Sequence, residues 1–142
     1  MVKNEAPTPQ VNTQDLIMEY EMIRQEVANI DAQIRQLQEH HEALIVAKES
    51  INSIKGNKGS EMLVPGGAGV YFNTSLNNDK SCLVNVGANV IIEMNIKKAD
   101  KTISDRVDQA LSMIVKLNEE ADMMVQRLRL IESVIQSGQQ PA

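Results

Sequence analysis

Residues Leu63–Phe72 read LVPGGAGVYF, and residues Leu83–Ile92 read LVNVGANVII. Aligned, both run Leu-Val-x-x-Gly-Ala-x-Val and end on two apolar residues. The first copy alone resembles a glycine loop for phosphate, because Gly67-Ala68-Gly69 begins the pattern G-x-G-x-x-G. Position 72 is Phe72 rather than Gly, no G-x-x-x-x-G-K-[ST] occurs, and neither copy opens a predicted helix. A phosphate loop has no reason to recur after about 20 residues, whereas a β-turn does. The two copies predict paired β-hairpins turning at Gly67-Ala68 and Gly87-Ala88, and no nucleotide site.

Around these turns the apolar period is two. Val70, Phe72, Thr74 and Leu76 share one strand face. Cys82, Val84 and Val86 share another, as do Val90, Ile92, Met94 and Ile96. A short strand at Met62–Val64 comes first, ending at Pro65, where a missing amide donor does least harm. Asn77-Asn78-Asp79 is a turn signal between the two hairpins. The middle of the chain is thus read as four short strands, each pair with one apolar face.

Further out the period changes to that of a heptad. On the N-terminal side Leu16, Tyr20, Ile23, Val27, Ile30, Ile34, Leu37, His41, Leu44, Lys48 and Ile51 step by four and three. Thr13 is the expected N-cap and Gly56 the C-terminal stop, giving a helix over about 11–55. On the C-terminal side Ile103, Val107, Ala110, Ile114, Leu117, Ala121, Met124, Leu128, Ile131 and Ile135 repeat the pattern. Asn95 is placed to cap this helix, read over about 97–137, and Gly138 lies just past its end. Lys97 and Lys98 in its first turn oppose the helix dipole at a modest, solvent-screened cost. Each helix is roughly 60–65 Å long at 1.5 Å per residue. Residues 1–10, with two prolines and no periodicity, are expected to be a disordered tail, and 138–142 a second tail.

A helix with one apolar stripe must have it covered. Two such helices flanking an insert most simply fold back on each other. The fold class is therefore α+β: a long antiparallel coiled-coil hairpin, with two β-hairpins over about 61–96 between the helices, in a single domain over 11–137. Four strands with no covering helix and no second sheet leave open edges and an unburied face. The strand residues Val70, Phe72, Leu76, Cys82, Val84, Val86, Val90, Ile92 and Met94 are accordingly expected to join strands of other subunits into a β-barrel body.

Composition narrows the function. The 142 residues carry a net charge of −5, which disfavours a basic nucleic-acid face. Aromatic residues make up only 2%, while Met occurs eight times, which suits helix seams better than a thick core. No apolar run approaches the roughly 18 residues of a membrane span, and the polar N-terminus lacks a signal peptide's apolar stretch. Cys82 is the single cysteine; it faces the side of Val84, so it reads as a buried, inert thiol. His40 and His41 point about 100° apart on a helix and do not readily share one metal; His41 and Lys48 occupy seam positions, where polar residues set register. No cofactor, metal or catalytic arrangement is expected.

One apolar feature exceeds the needs of the seams. Ile17, Met18 and Met22 near the start of the first helix, and Met123, Val125, Leu130 and Val134 near the end of the second, lie off the core positions. Antiparallel pairing collects them at the free tip, together with the seam residues Leu16, Tyr20, Leu128, Ile131 and Ile135. Flexible Met suits a surface that accepts many shapes, so this tip is the expected protein-binding site. Similar off-seam residues near the strands (Ile45, Val46, Leu111, Met113) are expected to pack against the sheet body.

The stretch GSEMLVPGGAGVYFNTSLNNDKSCLVNVGANVIIEMNIKKA, set between two long helices, resembles the archaeal-type prefoldin alpha subunit. The family pattern LVP-x-GAG…V-x-VGAG-V is similar to Leu63-Val64-Pro65-Gly66-Gly67-Ala68-Gly69 and Val84-Asn85-Val86-Gly87-Ala88-Asn89-Val90. Gly66 departs from an apolar residue, which loosens one strand end. Asn89 departs from Gly mildly, since Asn tolerates positive φ. The resemblance covers about Val11 to Gln136. It implies a cytoplasmic hetero-hexamer of two alpha and four beta-type subunits, joined through double β-barrels. It also implies an ATP-independent chaperone that holds unfolded proteins between the coiled-coil tips and passes them to a group II chaperonin. The alternative is a coiled-coil scaffold or filament former without client binding.

Overall fold

The structure is a computed structural model and describes residues 12–139. Its elements run α1 (Thr13–Ser53), β1 (Glu61–Gly67), β2 (Val70–Ser75), β3 (Ser81–Asn85), β4 (Ile91–Asn95) and α2 (Ile96–Gln139). The expectations for residues 1–10 and 140–142 lie outside the described residues.

Helix α1 starts one residue earlier in its cap than the sequence predicts. Asn12 Oδ1 accepts from the Gln14 amide at 3.0 Å, and the Asn12 carbonyl accepts from the Leu16 amide at 3.1 Å. Asn12 is thus the N-cap and Thr13 the first helical residue; Asn caps as well as Thr or better. The helix ends at Ser53, and Gly56, with φ 72°, carries the chain through the following turn. Helix α2 is capped by Asn95, whose Oδ1 accepts from the Lys98 amide at 2.8 Å. Gly138 does not end it, since the helix runs through Gln139.

Every heptad seam position named above is buried or half-buried, His41 and Lys48 included. The chain divides into two compact units: residues up to Leu37 with those from Met113, and Gln38–Ser112. In the first unit Ile30, Ile34 and Ala121 form a core with Ile114, Leu117 and Met124 against it. In the second, Leu44, Ile103 and Ala110 form a core with Ala47, Ile51 and Val107. The partner numbers fall on one helix as they rise on the other, so the helices pair antiparallel within each unit. Asn52 Nδ2 donates to Asp100 Oδ1 at 2.8 Å, adding a polar link in the second unit.

The strands form two separate antiparallel pairs, β1–β2 and β3–β4. The turns sit one residue later than predicted. Ala68 and Gly69 are the central residues of the first, with φ 49° and 80°; Ala88 and Asn89 of the second, with φ 49° and 61°. In the second turn the Val90 amide donates to the Gly87 carbonyl at 2.9 Å. Positive φ at both central positions matches the right-handed strand twist, as in type I′ turns. β1 runs past the predicted end at Val64, through Pro65 to Gly67. Its register shifts between Pro65 and Gly67, so Gly66 is an unpaired bulge residue. A Cβ at Gly66 would collide with the Phe72 ring.

The two hairpins differ in support. Val84 and Met94 on β3–β4 are buried with Ala99 of α2, with Ile51 and Cys82 packed alongside. Arg106 Nη2 donates to the Asn85 carbonyl at 2.8 Å, and the Ile96 amide donates to the Lys80 carbonyl at 3.1 Å. The expectation of strands without a covering helix is therefore corrected for this pair. Every residue of β1 and β2 is exposed.

Candidate functional site

The ends of the helices in the first unit are joined by polar contacts across the seam. Arg127 donates from Nε and Nη2 to the Glu19 carboxylate at 2.9 and 3.1 Å. This fork holds the Glu19 carboxyl below the usual carboxylate range, the hydrogen bond from Arg127 being the larger cause. The Tyr20 hydroxyl donates to Glu132 Oε1 at 2.7 Å, and that bond to a carboxylate raises the phenol's pKa. Tyr20, Glu132, Ile135 and Gln136 line a shallow groove of ≈ 200 Å³.

Around these links lie the off-seam apolar residues. Ile17, Met18, Met22, Met123, Leu130 and Val134 are 45–72% exposed, far above what a helix seam leaves uncovered. Leu16, Tyr20, Val125, Leu128 and Ile135 are half-buried and offer only their edges. Ile131 is corrected: at 1% exposure it belongs to the interhelical core and presents no surface. The seam pattern places it there, and no periodicity in the sequence sets a tip residue of the seam apart from the rest of the seam. Val46, Leu111 and Met113, expected to pack on the strands, are exposed instead and Ile45 is half-buried, because β3–β4 rests on Ile51 and Ala99.

On the strands, Val70, Phe72 and Ile92 are exposed and Cys82 is half-buried; Leu76, Val86 and Val90, expected as strand residues, lie just past the strand ends, Leu76 half-buried and the two valines exposed. Val84 and Met94 are corrected from assembly residues to intrachain core, since α2 covers their side of the hairpin. Burial pushes the Cys82 thiol up, which disfavours the reactive thiolate. The opposite strand faces carry residues that the reading of a single apolar face omitted. Leu63 and Tyr71 stand on β1–β2, and Leu83 and Ile91 on β3–β4, all exposed. The signal was present in the repeat, which aligns Leu63 with Leu83 and Tyr71 with Ile91. Among the described residues no group of three or more His, Cys, Asp or Glu is placed to hold a metal, and no helix is long and apolar enough to cross a membrane.

Two long helices around two strand pairs, with exposed apolar helix ends, invite comparison with known chains. The family model described as Prefoldin subunit matches residues 23–141. This chain belongs to the prefoldin family. Prefoldin subunit alpha of Methanococcus aeolicus is 32% identical over 115 residues, covering 74% of this chain and 79% of that one. Prefoldin subunit alpha of Thermofilum pendens is 28% identical over 123 residues, covering 84% and 94%. A probable prefoldin subunit 5 of Dictyostelium discoideum is 28% identical over 127 residues, covering 89% and 79%. A chain from the cryo-EM structure of filamentous PFD of Methanocaldococcus jannaschii superposes with a TM-score of 0.51 at 21% identity, covering 84% of this chain and 94% of that one. That last likeness speaks for the fold alone. The role that follows from membership is that of a prefoldin chaperone subunit, in a family of chaperones rather than enzymes.

Proposed function

We propose that this prefoldin chain is the alpha-type subunit of a cytoplasmic hetero-hexamer with beta-type subunits, two alpha to four beta. The complex holds unfolded proteins at the apolar helix ends without ATP and passes them to a group II chaperonin. The observation that carries the holding step is the exposed set Ile17, Met18, Met22, Met123, Leu130 and Val134. Three of the six are Met, whose unbranched, polarisable side chain adapts to partners of differing shape. A soluble domain rarely leaves such residues together without a partner to cover them. The exposed strand residues support the assembly step, since unpaired strand edges with apolar faces pair with other strands.

The test is suppression of aggregation of a chemically denatured protein by the assembled complex, before and after removal of both helix ends, α1 through Met22 and α2 from Met123. Loss of holding with retained assembly is expected; undiminished holding sinks the assignment of the helix ends. A scaffold or filament former is separated by native mass spectrometry with the beta-type subunit. A homopolymer that ignores the beta subunit would favour the scaffold.

A further inference from the structure

The two β-hairpins share one repeated sequence pattern, yet the chain treats them differently. β3–β4 is fixed at three levels. Val84 and Met94 are buried against Ala99, which is 0% exposed. Arg106 holds the Asn85 carbonyl, and the Lys80 carbonyl receives the first amide of α2. β1–β2 has no buried residue and no side-chain tether of the Arg106 kind. Its ladder runs from the Leu76 amide, which donates to the Ser60 carbonyl at 2.9 Å, through Glu61↔Ser75 to Gly67↔Val70, and Thr74 Oγ1 donates to the Met62 carbonyl at 3.1 Å. Leu63 and Tyr71 lie exposed on one face, and Val64 and Phe72 on the other. An isolated two-stranded hairpin is marginally stable at best in water, because it buries too little to offset the entropy of ordering it.

We propose that β1–β2 is an assembly arm that takes its lasting order from a strand pair of a neighbouring prefoldin subunit, while β3–β4 is a platform already formed in the single chain. This rests on the assembly reading above. The occupant is a strand pair rather than a helix because the arm offers two free edges. Each edge presents a row of N–H and C=O groups that only another strand satisfies in register. The arm's apolar residues on both faces need cover from more than one side, which joining a closed sheet supplies and a single helix does not. Assembly in this chain is therefore coupled to folding of one hairpin, and the second hairpin guides it.

Hydrogen exchange on the full chain decides this, first alone at a concentration where native mass shows a single copy, then in complex with the beta-type subunit. Amide exchange reports local opening, from near-free loops to globally protected cores. In the single chain, amides of β1 and β2 are expected within about tenfold of the unstructured rate, with those of β3 and β4 at least roughly a hundredfold slower. In the complex, β1 and β2 are expected to slow by about a hundredfold or more. Equal protection of both hairpins in the single chain overturns the proposal. So does an unprotected β1–β2 in a complex whose mass includes this chain, or protection conferred by a denatured client with no second subunit. If the chain ignores the beta subunit, the partner reading above fails, while the comparison within the single chain still judges the arm.

Discussion

Ile30→Ala separates what holds the helix pair together from what the helix ends present. Ile30 is 2% exposed and packs with Ile34 and Ala121, against Ile114, Leu117 and Met124. The substitution removes three buried carbons, about 2.4 kcal/mol at ~0.8 kcal/mol each. The seam cannot fully collapse around the missing atoms, so the cavity term lifts the cost to about 3 kcal/mol, inside the usual range for Ile→Ala. At about 4 °C per kcal/mol for a chain of this size, the thermal midpoint should fall by roughly 12 °C. Met22→Ala is the matched control, because Met22 is 70% exposed. Its cost should stay within about 0.5 kcal/mol, or roughly 2 °C. Helix signal by circular dichroism against temperature gives both midpoints. Aggregation suppression by the assembled complex, measured well below either midpoint, should show the reverse ranking: Ile30→Ala holds like the parent and Met22→Ala holds less. Equal midpoints for the two variants would refute the seam argument. Full holding by Met22→Ala together with lost holding by Ile30→Ala would refute the division of labour.

Three further outcomes follow from particular contacts. Glu19 has its pKa depressed by Arg127, so the pair's contribution is complete above the ordinary value of 4.5 and is lost as pH falls through the lowered folded value. Arg127→Met should return the Glu19 carboxyl toward 4.5 in a chemical-shift titration, and an unchanged titration would remove the fork as the cause. Gly66→Ala forces a methyl into the Phe72 ring, so the ring must move and β1–β2 pairing weakens; native mass should show reduced assembly with unchanged helix content, and parental assembly would contradict the close contact. Asn89→Val places a β-branched residue at φ 61°, which costs about 1–2 kcal/mol; faster amide exchange confined to β3–β4 is the expected reading, and unchanged exchange would contradict the turn geometry.

The heptad positions were legible in the sequence because their spacing is fixed by helix geometry alone. From Leu16 to Ile51 and from Ile103 to Ile135, none of the seam residues is exposed. The hairpins were legible because the repeat quoted first supplies glycine and asparagine where backbone φ turns positive. The one-residue offset of the turns escaped because Ala68 and Ala88 take positive φ, a conformation that favours Gly or Asn. Alternation divides a strand into two faces but does not say which face its own chain covers. Hence alternation alone assigns Val84 and Met94 to the assembly surface and leaves out Leu83 and Ile91. At the helix ends, the exposed Met residues follow from being off the seam. The Glu19–Arg127 fork and the Tyr20–Glu132 bond do not, since they depend on the axial register between helices, which two heptad patterns leave free to slide.

The most direct measurement replaces Met18, Met22, Met123 and Leu130 together by Ser and assays the assembled complex for binding of a denatured client. All four are exposed, so each change should cost little stability, and assembly through the strands should be retained by native mass. The account predicts a complex of parental mass and helix content that no longer holds the client or suppresses its aggregation. A complex that holds the client as the parent does would contradict the claim that these helix ends are the client site.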